Sequence, residues 1–451
     1  MPEFDRADVV IIGGGVVGCA IFRRLALAGL KPLLLESGGD ILSGASKGNS
    51  AILHTGFDAP AGSLELACMQ AGYREYRTIH HRLNLPLVET GALVVAWDEA
   101  QLARLPAIVA HAHANDVPDV ALISRSDLRR REPLLAPHAL GAVWVPGEHI
   151  IDPWSAPLAY ALQGLAHGGR IRRNCKVLNG SFDGAWSLGT ERGRVTAGVV
   201  INAAGNHGDL VEAMCRPSPF RITPRKGQFV VFDKLAARLV RAIILPVPTE
   251  RTKGIVICRT AFGNLLVGPT AEDQTERDAA EVDEETLAML VAKGKEMLPG
   301  LGEVGVNAIY AGLRPATQFK DYQIEALPER RWITVGGIRS TGLTGSLGIA
   351  AHVAGLYGRH FRTLEEAAPI WTPVPNLCEE RPRPYQTQTG AEVLCHCEWV
   401  TRGEVEAALK GPLPAGDVGG LKRRTRAMMG RCQGFYCSAH VAALVEGRIE
   451  L

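Results

Sequence analysis

The chain has 451 residues, 46% of them hydrophobic and 21% charged, a composition typical of a globular protein with a large buried core. This length predicts roughly two to three domains, and a formal net charge of only +2 indicates no nucleic-acid partner. No apolar run approaches the ~20 residues of a membrane-spanning helix. Residues 9–20 are apolar, but they follow Asp5 and Asp8 and contain four glycines, which argues against an export signal.

The first predicted elements form a βαβ unit. Val9–Ile12 predicts a buried strand, Val16–Ala28 a helix that ends at Gly29, and Lys31–Glu36 a second strand. Because strands joined in this way are parallel, the N-terminal segment predicts an α/β fold with a doubly wound sheet.

A glycine-rich turn joins the first strand to the helix. Gly13, Gly15 and Gly18 satisfy the G-x-G-x-x-G pattern, in which they permit a tight turn, the approach of a pyrophosphate to the helix N-terminus, and close helix–strand packing. Glu36 ends the second strand 23 residues after Gly13, where a carboxylate accepts hydrogen bonds from ribose hydroxyls. The unit therefore predicts a dinucleotide site, with a chance glycine-rich turn as the alternative.

Residues 37–60 are rich in Gly, Ser and Ala and predict a long functional loop. The loop follows Glu36, where the chain of a flavin enzyme passes along FAD. Small and hydroxyl side chains in it, including Ser46, Asn49 and Ser50, suit close approach to the pyrophosphate and the flavin ring, and His54 follows them. The alternative interpretation is a solvated loop.

Two later strand ends suit the same cofactor. Gly198–Gly205 predicts a buried strand whose closing turn, with Ala203 and Gly205, would lie over FAD, and Trp332–Gly337 predicts another buried strand. At the start of the next helix, three residues would point their amides at the pyrimidine end of the flavin and stabilise its reduced anionic form. These residues are Gly342, Leu343 and Thr344. Ordinary turns and a plain helix start are the alternatives.

The middle of the chain predicts an antiparallel sheet. Its strand-like runs are Gly227–Phe232, Ala242–Pro246, Gly254–Cys258 and Asn264–Val267. An earlier run, Ala92–Ala96, lies between helical stretches. Residues 366–390 carry five prolines and predict a linker.

Four of the ten cysteines lie in the C-terminal tail. They are Cys395, Cys397, Cys432 and Cys437. Four thiolates from two close pairs can hold a [2Fe–2S] cluster or a zinc ion. His396 lies between two of them, but side chains alternate in an extended segment, so we expect it to point away. The other six cysteines occur singly and are interpreted as reduced thiols, which indicates a cytoplasmic protein.

Residues 1–365 resemble the D-amino-acid-oxidase-like superfamily of FAD oxidoreductases, and within it are most similar to glycerol-3-phosphate oxidases and dehydrogenases and to L-2-hydroxyglutarate oxidases. The strings that carry the resemblance are Val10–Gly18, Asn49–Asp58, Ile151–Pro153, Arg225–Gln228, Lys253–Val256, Leu266–Thr270 and Gly312–Pro315. The tail resembles the bacterioferritin-associated-ferredoxin-like domain found in anaerobic glycerol-3-phosphate dehydrogenases. Leu421–Arg426 and Met429–Gly434 match, with four residues between the last two cysteines.

The resemblance implies FAD and a [2Fe–2S] cluster as cofactors. It also implies an FAD-binding doubly wound parallel sheet with an interleaved antiparallel substrate domain, plus a small helical Fe–S domain. We expect the FAD-binding domain to comprise 1–85, 150–217 and 331–365, and the substrate domain 86–149 and 218–330. The linker at 366–390 and the [2Fe–2S] domain at 391–451 follow.

The resemblance also implies roles for single residues. His54 would withdraw the hydroxyl proton of the substrate, and Arg314 and Lys253 would bind the substrate anion. Ser340 and Thr341 would donate to substrate or flavin. The alternatives are a histidine that only bonds the flavin or the loop, a surface arginine, a solvated lysine and turn-stabilising hydroxyls.

These inferences predict a dehydrogenase that oxidises an anionic secondary alcohol, either glycerol 3-phosphate or a 2-hydroxy acid such as L-2-hydroxyglutarate. A hydride would pass to flavin N5, and the cluster, which simple oxidases do not need, would relay electrons to a quinone, a partner subunit or another redox protein. The alternatives are an amine or amino-acid dehydrogenase acting on an opine or hydroxyproline, which often needs no base, and a non-catalytic protein that only carries electrons. Peripheral association with the inner membrane face and oligomerisation are left open.

Overall fold

A computed structural model describes residues 5–248 and 254–449. Its strands, in chain order, are β1 (Asp5–Ile12), β2 (Leu33–Leu35), β3 (Ile52–Leu53), β4 (Ala92–Ala96), β5 (Ala121–Ile123), β6 (Gly141–Val145), β7 (His149–Ile150), β8 (Arg170–Arg172), β9 (Val177–Asp183), β10 (Ala185–Thr190), β11 (Gly193–Asn202), β12 (Thr223–Phe232), β13 (Ile243–Pro246), β14 (Val256–Arg259), β15 (Leu265–Gly268), β16 (Glu272–Asp273), β17 (Val306–Ala316), β18 (Gln323–Leu327), β19 (Trp332–Gly336), β20 (Val393–Cys395) and β21 (Val400–Thr401). Its helices are α1 (Val16–Leu27), α2 (Leu64–Ile79), α3 (Glu99–Ala114), α4 (Arg125–Arg131), α5 (Ser155–Ala166), α6 (Gly208–Glu212), α7 (Glu284–Met297), α8 (Gly342–His360), α9 (Pro384–Thr387), α10 (Arg402–Ala408), α11 (Val418–Thr425) and α12 (Ser438–Val445).

The first sheet has the strand order β18-β19-β11-β1-β2-β8, and its five strands from β19 to β8 are parallel. Successive side chains of β1 enter different cores: Val9 and Ile11 pack with α1, α5 and α8 on one face, whereas Val10 and Ile12 pack with Trp186 on the other. Burial on both faces explains why β1 is a continuous apolar run. The predicted doubly wound parallel sheet is confirmed.

The second sheet has the order β16-β12-β15-β14-β13-β4-β6-β5, with β17 paired to β12. Most neighbours are antiparallel, as predicted, but β13 runs parallel to β4. This pairing joins strands far apart in sequence, so local turn signals did not reveal it. The long β12–β17 ladder extends from Thr223↔Ala316 to Phe232↔Val306 and brings β17 alongside the loop that follows β2.

The tail combines the short antiparallel pair β20–β21 with helices α10, α11 and α12 around a small core of its own. Much of the segment between α8 and β20 is anchored, because Val374 packs into the core of the first sheet and Leu377 and Cys378 pack into that of the second. The predicted division into domains at the boundaries given above stays a prediction. Within the described residues, no helix combines the length and hydropathy needed to cross a bilayer.

Candidate active site and iron–sulfur centre

The dinucleotide turn lies where β1 passes into α1. Gly13 has a φ of +111°, and a Cβ atom there would lie 2.5 Å from the carbonyl oxygen of Ala203. A Cβ atom on Gly18 would lie 1.8 Å from the carbonyl oxygen of Gly13. Only glycine therefore permits both the left-handed turn and the close contact of helix and strand.

Two predicted side chains meet the turn. The Val16 N–H, at the start of α1, donates to Ser46 Oγ at 3.0 Å. The Glu36 carboxylate accepts the N–H groups of Gly14 at 2.6 Å and Gly38 at 2.7 Å. No side chain of the N-cap residue Gly15 caps this helix, so its first amides form an anion-binding end. This arrangement fits the pyrophosphate and ribose of FAD.

A second helix N-terminus lies beside the first. Helix α8 begins at Gly342, and the side chain of its N-cap residue, Thr341, does not cap it. A Cβ atom on Gly342 would lie 3.8 Å from a methyl group of Val17, so α8 begins against α1. Leu343 and Thr344 occupy its first turn, as the cofactor prediction requires. Two positive helix ends at one place stabilise an anionic group.

Two further cofactor-site glycines have left-handed backbones. Gly205 has a φ of +54° and no atom within 4 Å of the position that a Cβ would occupy. Gly337 has a φ of +68° and follows β19. Both lie where a parallel strand of the first sheet ends, which is the edge at which nucleotides bind in such sheets.

His54 is held by a buried carboxylate. Strands β3 and β7 pair Leu53 with His149, so the adjoining residues His54 and Glu148 face each other. His54 Nδ1 lies 2.7 Å from Glu148 Oε2, and Glu148 is 0% exposed whereas the imidazole is 24% exposed. The N–H and hydroxyl of Thr55 both donate to Glu148 Oε1, at 2.6 and 2.9 Å. The carboxylate therefore orients an imidazole that is partly open to solvent, as a general base requires.

The loop before His54 is held at both ends. Asn49 Oδ1 accepts the Ala51 N–H at 2.7 Å, and the Ser50 carbonyl accepts the Cys258 thiol at 3.7 Å. The His54 N–H donates to Thr344 Oγ1 at 3.1 Å, which ties the loop to the start of α8.

Arg314 lies on β17, the strand that runs along this loop. Its Nε and Nη2 atoms donate to the carbonyls of Arg225, Lys226 and Thr270 at 3.3, 3.1 and 2.5 Å. Among the described residues, Nη1 has no hydrogen-bond partner. Burial, with the positive charge of Arg225, lowers the pKa of Arg314 to about 10, so the guanidinium stays charged at neutral pH. A cation so deprived of water favours an anionic partner.

The loop and β17 are in direct contact. A Cβ atom on Gly48 would lie 3.0 Å from the Cα of Gly312, and Tyr310 donates its hydroxyl to the carbonyl of Asn49 at 3.0 Å. The structure therefore brings the segments that carry His54 and Arg314 to one loop.

The remaining predicted substrate residues are not brought there in the expected way. Thr341 is buried and donates its hydroxyl to Glu65 Oε1 at 2.8 Å, and Arg339 donates to the same carboxylate at 2.5 Å. The Thr341 proton is thus committed to the protein and not directed at substrate or flavin. Ser340 is exposed, and Lys253 lies outside the described residues.

The four predicted ligand thiols come together from β20 and the loop before α12. The thiols of Cys397 and Cys432 form a hydrogen bond, as do those of Cys395 and Cys437. Backbone amides, first that of Tyr436, lower the pKa of Cys432, whereas burial raises that of Cys437 to about 11. Two pairs suit two irons.

No set of three or more His, Cys, Asp or Glu side chains in the described part of the chain surrounds a single ion position. His396 is exposed, in agreement with the expectation that it is not a ligand.

The tail is joined to the flavin loop by a buried ion pair. Asp40, which is 0% exposed, accepts Arg424 Nη2 at 2.9 Å, Arg173 Nη1 at 3.3 Å and the Gly416 N–H at 3.1 Å. A Cβ atom on Gly416 would lie 2.0 Å from the carbonyl oxygen of Gly39. The two backbones therefore touch directly.

An aromatic pair makes a second junction. Arg426 Cζ lies 4.2 Å from the ring centre of Phe262 and 5.9 Å from that of Trp154, and the two rings stack at 5.0 Å. Trp154 Nε1 donates to the carbonyl of Lys47 at 3.1 Å. Arg426 Nε also pairs at 2.9 Å with Glu398, the residue after Cys397. Contacts thus run without a break from the thiol site to the loop before His54.

The model of the family described as FAD dependent oxidoreductase matches residues 8–356, and that of the BFD-like [2Fe-2S] binding domain matches residues 393–446. The chain belongs to the FAD dependent oxidoreductase family. This oxidoreductase therefore has FAD and a [2Fe–2S] cluster as cofactors, and the predicted family, enzyme class and cofactors are confirmed.

Relatives match the oxidoreductase over different lengths. A glycerol 3-phosphate dehydrogenase of Caloramator mitchellensis is 30% identical over 97% of this chain and 93% of its own. A component chain of the anaerobic glycerol-3-phosphate dehydrogenase of Escherichia coli K12 is 26% identical over 98% of this chain and 89% of its own. A dithionite-reduced L-α-glycerophosphate oxidase structure from Mycoplasma pneumoniae, with FAD bound, is 27% identical with a TM-score of 0.76, and covers 82% of this chain and 98% of its own.

Sequence reasoning missed the partners that hold this site. Glu148 lies in Gly147-Glu148-His149, just before the string Ile151–Pro153 that carried part of the resemblance. Its role depends on the pairing of β3 with β7, which two-residue strands do not signal. Asp40 and Trp154 were also missed, because their partners lie hundreds of residues away.

Proposed function

We propose that this oxidoreductase is a glycerol 3-phosphate dehydrogenase that releases its electrons through the [2Fe–2S] cluster to a separate acceptor. The match to a glycerol 3-phosphate dehydrogenase over 97% of the chain, the tail included, supports the substrate. The oxidase structure is almost wholly covered by 82% of this chain. The cluster domain, which a simple oxidase does not need, favours the dehydrogenase.

The pair of His54 with Glu148 is the observation that carries the proposal. Oxidation of an alcohol requires the hydroxyl proton to leave with the hydride, and a positioned imidazole takes such a proton. With Nδ1 held by Glu148 at 2.7 Å, Nε2 is the atom that accepts the proton. The buried carboxylate then stabilises the imidazolium that forms. A neutral amine substrate would need neither group.

Arg314 supports an anionic substrate. Three backbone carbonyls fix its guanidinium and leave Nη1 for a ligand. A phosphate on the substrate would compensate a charge that burial leaves poorly solvated. The binding of that phosphate at one end would place the secondary hydroxyl near His54 at the other.

The cofactors supply the remaining chemistry: bound FAD is the hydride acceptor and the cluster is a one-electron carrier. Gly13, Gly15, Glu36 and Ser46 would hold the dinucleotide, and the four cysteines of the tail would hold the cluster. The contact of Arg426 with Trp154 and Phe262 supports a relay between them, because it joins the segments that hold the two cofactors.

An anaerobic titration with glycerol 3-phosphate tests the proposal. We expect the flavin absorbance to bleach and the EPR signal of a reduced [2Fe–2S] cluster to follow, whereas L-2-hydroxyglutarate and L-proline at equal concentration leave both unchanged. Replacing Arg314 with Gln should raise KM about thirtyfold, since a hydrogen bond to a charged group contributes about 2 kcal/mol. The matched control Arg225→Gln, at an exposed arginine on the neighbouring strand, should leave KM unchanged. Bleaching by the amine instead of the alcohol would contradict the proposal.

A further inference from the structure

Two large aromatic side chains stand in solvent at the cluster. Phe435 is 80% exposed and Tyr436 is 73% exposed, and their rings meet edge to face at 5.2 Å. Both lie between the ligands Cys432 and Cys437, so no other segment of the chain separates them from the cluster loop. Exposed aromatic residues of this kind are typical of protein-binding surfaces.

A basic cavity opens beside the same loop. It has a volume of about 430 Å³, and four of its lining side chains are cations: Lys234, Arg238, Arg241 and Arg259. Glu379 is the acid that lines it, and this carboxylate is already paired with Lys234 at 2.5 Å. Arg238 and Arg241 are exposed and have no ion-pair partner among the described residues. The cavity therefore has an excess of positive charge.

Ion pairs connect the cavity to the thiol site. Arg431, next to Cys432, pairs with Asp233 at 3.0 Å, and Asp233 precedes Lys234. Lys234 also lies 3.4 Å from Glu398, which follows Cys397. The aromatic pair and the basic cavity thus flank one cluster loop and form one surface, which we call the exit face.

We propose that the exit face docks an electron-transfer protein with an acidic surface. Carboxylates of the partner would enter the basic cavity, and apolar atoms around its redox centre would cover Phe435 and Tyr436. Opposite charges steer the encounter and set the orientation, while the aromatic contacts exclude water from the contact. This inference rests on the relay proposed above.

The electron balance is simple. Oxidation of one alcohol to a ketone releases two electrons, and each docking event passes one electron from the reduced cluster to the oxidised centre of the partner. Two partner molecules are therefore reduced for each substrate molecule oxidised, and the docked step transfers no proton. A partner that carries single electrons suits a cluster that changes by one.

The test uses the holoenzyme, glycerol 3-phosphate and two haem proteins as probes: cytochrome b5, whose face is acidic, and cytochrome c, whose face is basic. We expect cytochrome b5 to be reduced faster at low salt, with a rate that falls as salt rises. The double variant Arg238→Glu/Arg241→Glu should lower that rate at least about tenfold. It should leave flavin bleaching and turnover with ferricyanide unchanged.

The variant Phe435→Ser/Tyr436→Ser should also lower the rate with cytochrome b5 while leaving the cluster EPR signal intact. Matched controls lie elsewhere on the surface: Phe319→Ser, at a partly exposed aromatic, and Arg130→Glu, at an exposed arginine. Equal rates in variants and controls would overturn the exit face. So would efficient reduction of a short-chain ubiquinone that depends on the aromatic pair alone, because the face would then take a quinone. A cluster that stays oxidised while the flavin bleaches would instead remove the proposed relay.

Discussion

At the scale of single residues, the catalytic proposal depends on how a carboxylate and an imidazole are paired. Glu148 makes three short contacts, one to His54 and two to Thr55, and its side chain is fully shielded from solvent. The motif around residues 49–58 was sufficient to predict His54. It could not predict Glu148, because that residue reaches His54 only through the β3–β7 pairing.

Replacing Glu148 with Gln should lower kcat about 10- to 100-fold, which is part of the 10²- to 10⁴-fold that a positioned base contributes. KM for glycerol 3-phosphate should change little, because the amide preserves the shape of the site and Arg314 is untouched. Steady-state kinetics with ferricyanide measure both constants. Glu132→Gln is the matched control: Glu132 is another buried carboxylate, bonded to the N–H groups of Arg241 and Ala242. A similar loss of kcat in the control would show that the effect of Glu148 is structural.

At the scale of elements, helix α11 fixes the tail to the loop after β2. Burial raises the pKa of Asp40, but the charge and hydrogen bonds of Arg424, with Gly416 and Arg173, outweigh this and hold the pKa below its usual 3.8. The ion pair therefore stabilises the fold at pH values above about 4, and this contribution is lost as the pH falls through the lowered pKa of the folded state. Sequence alone favours a role for the basic run 422–426 in offsetting the charge of the cluster, or a solvated face, whereas Arg424 and Arg426 are buried.

Replacing Asp40 with Asn should destabilise the protein by about 3 to 5 kcal/mol at pH 7, because it leaves Arg424 buried without its counter-charge. The midpoint of urea unfolding, followed by tryptophan fluorescence, measures the change. Below pH 3 the variant and the parent should converge, since the parent carboxylate is then protonated. Glu392→Gln, which removes an exposed pair with Arg402, should leave the midpoint unchanged. If Asp40→Asn behaved like this control, the buried pair would not stabilise the tail contact.

At the scale of the whole molecule, the sequence predicted a cofactor turn near one terminus and four thiols near the other. It did not predict that the tail packs on the loop after β2. The residues of the ion pair, Asp40 and Arg424, are 384 positions apart, and neither belongs to a motif for its partner. The proline-rich segment suggested a free tether, yet Val374 and Leu377 are buried in two different cores.

The stacked pair of Trp154 with Phe262 leads to a prediction about this packing. Trp154→Leu should slow reduction of the cluster by substrate about tenfold, because it disturbs the placement of the tail against the loop before His54. Flavin bleaching in the same stopped-flow trace should keep its rate. Trp371→Leu, at a tryptophan that stacks with Arg82 instead, is the control and should change neither rate. An unchanged cluster trace in Trp154→Leu would show that the stack does not position the relay.

The direct contact of Gly416 with Gly39 has a consequence for how such a protein can arise. A ferredoxin-like unit hung on a slack string could be fused to any flavoprotein and cut away without harm. Here the unit closes one wall of the coenzyme chamber, and severing the chain after α8 would leave Asp40 and its neighbours open to water. Loss of the iron domain would therefore damage flavin retention as well as electron transfer, and the two halves must have been shaped together.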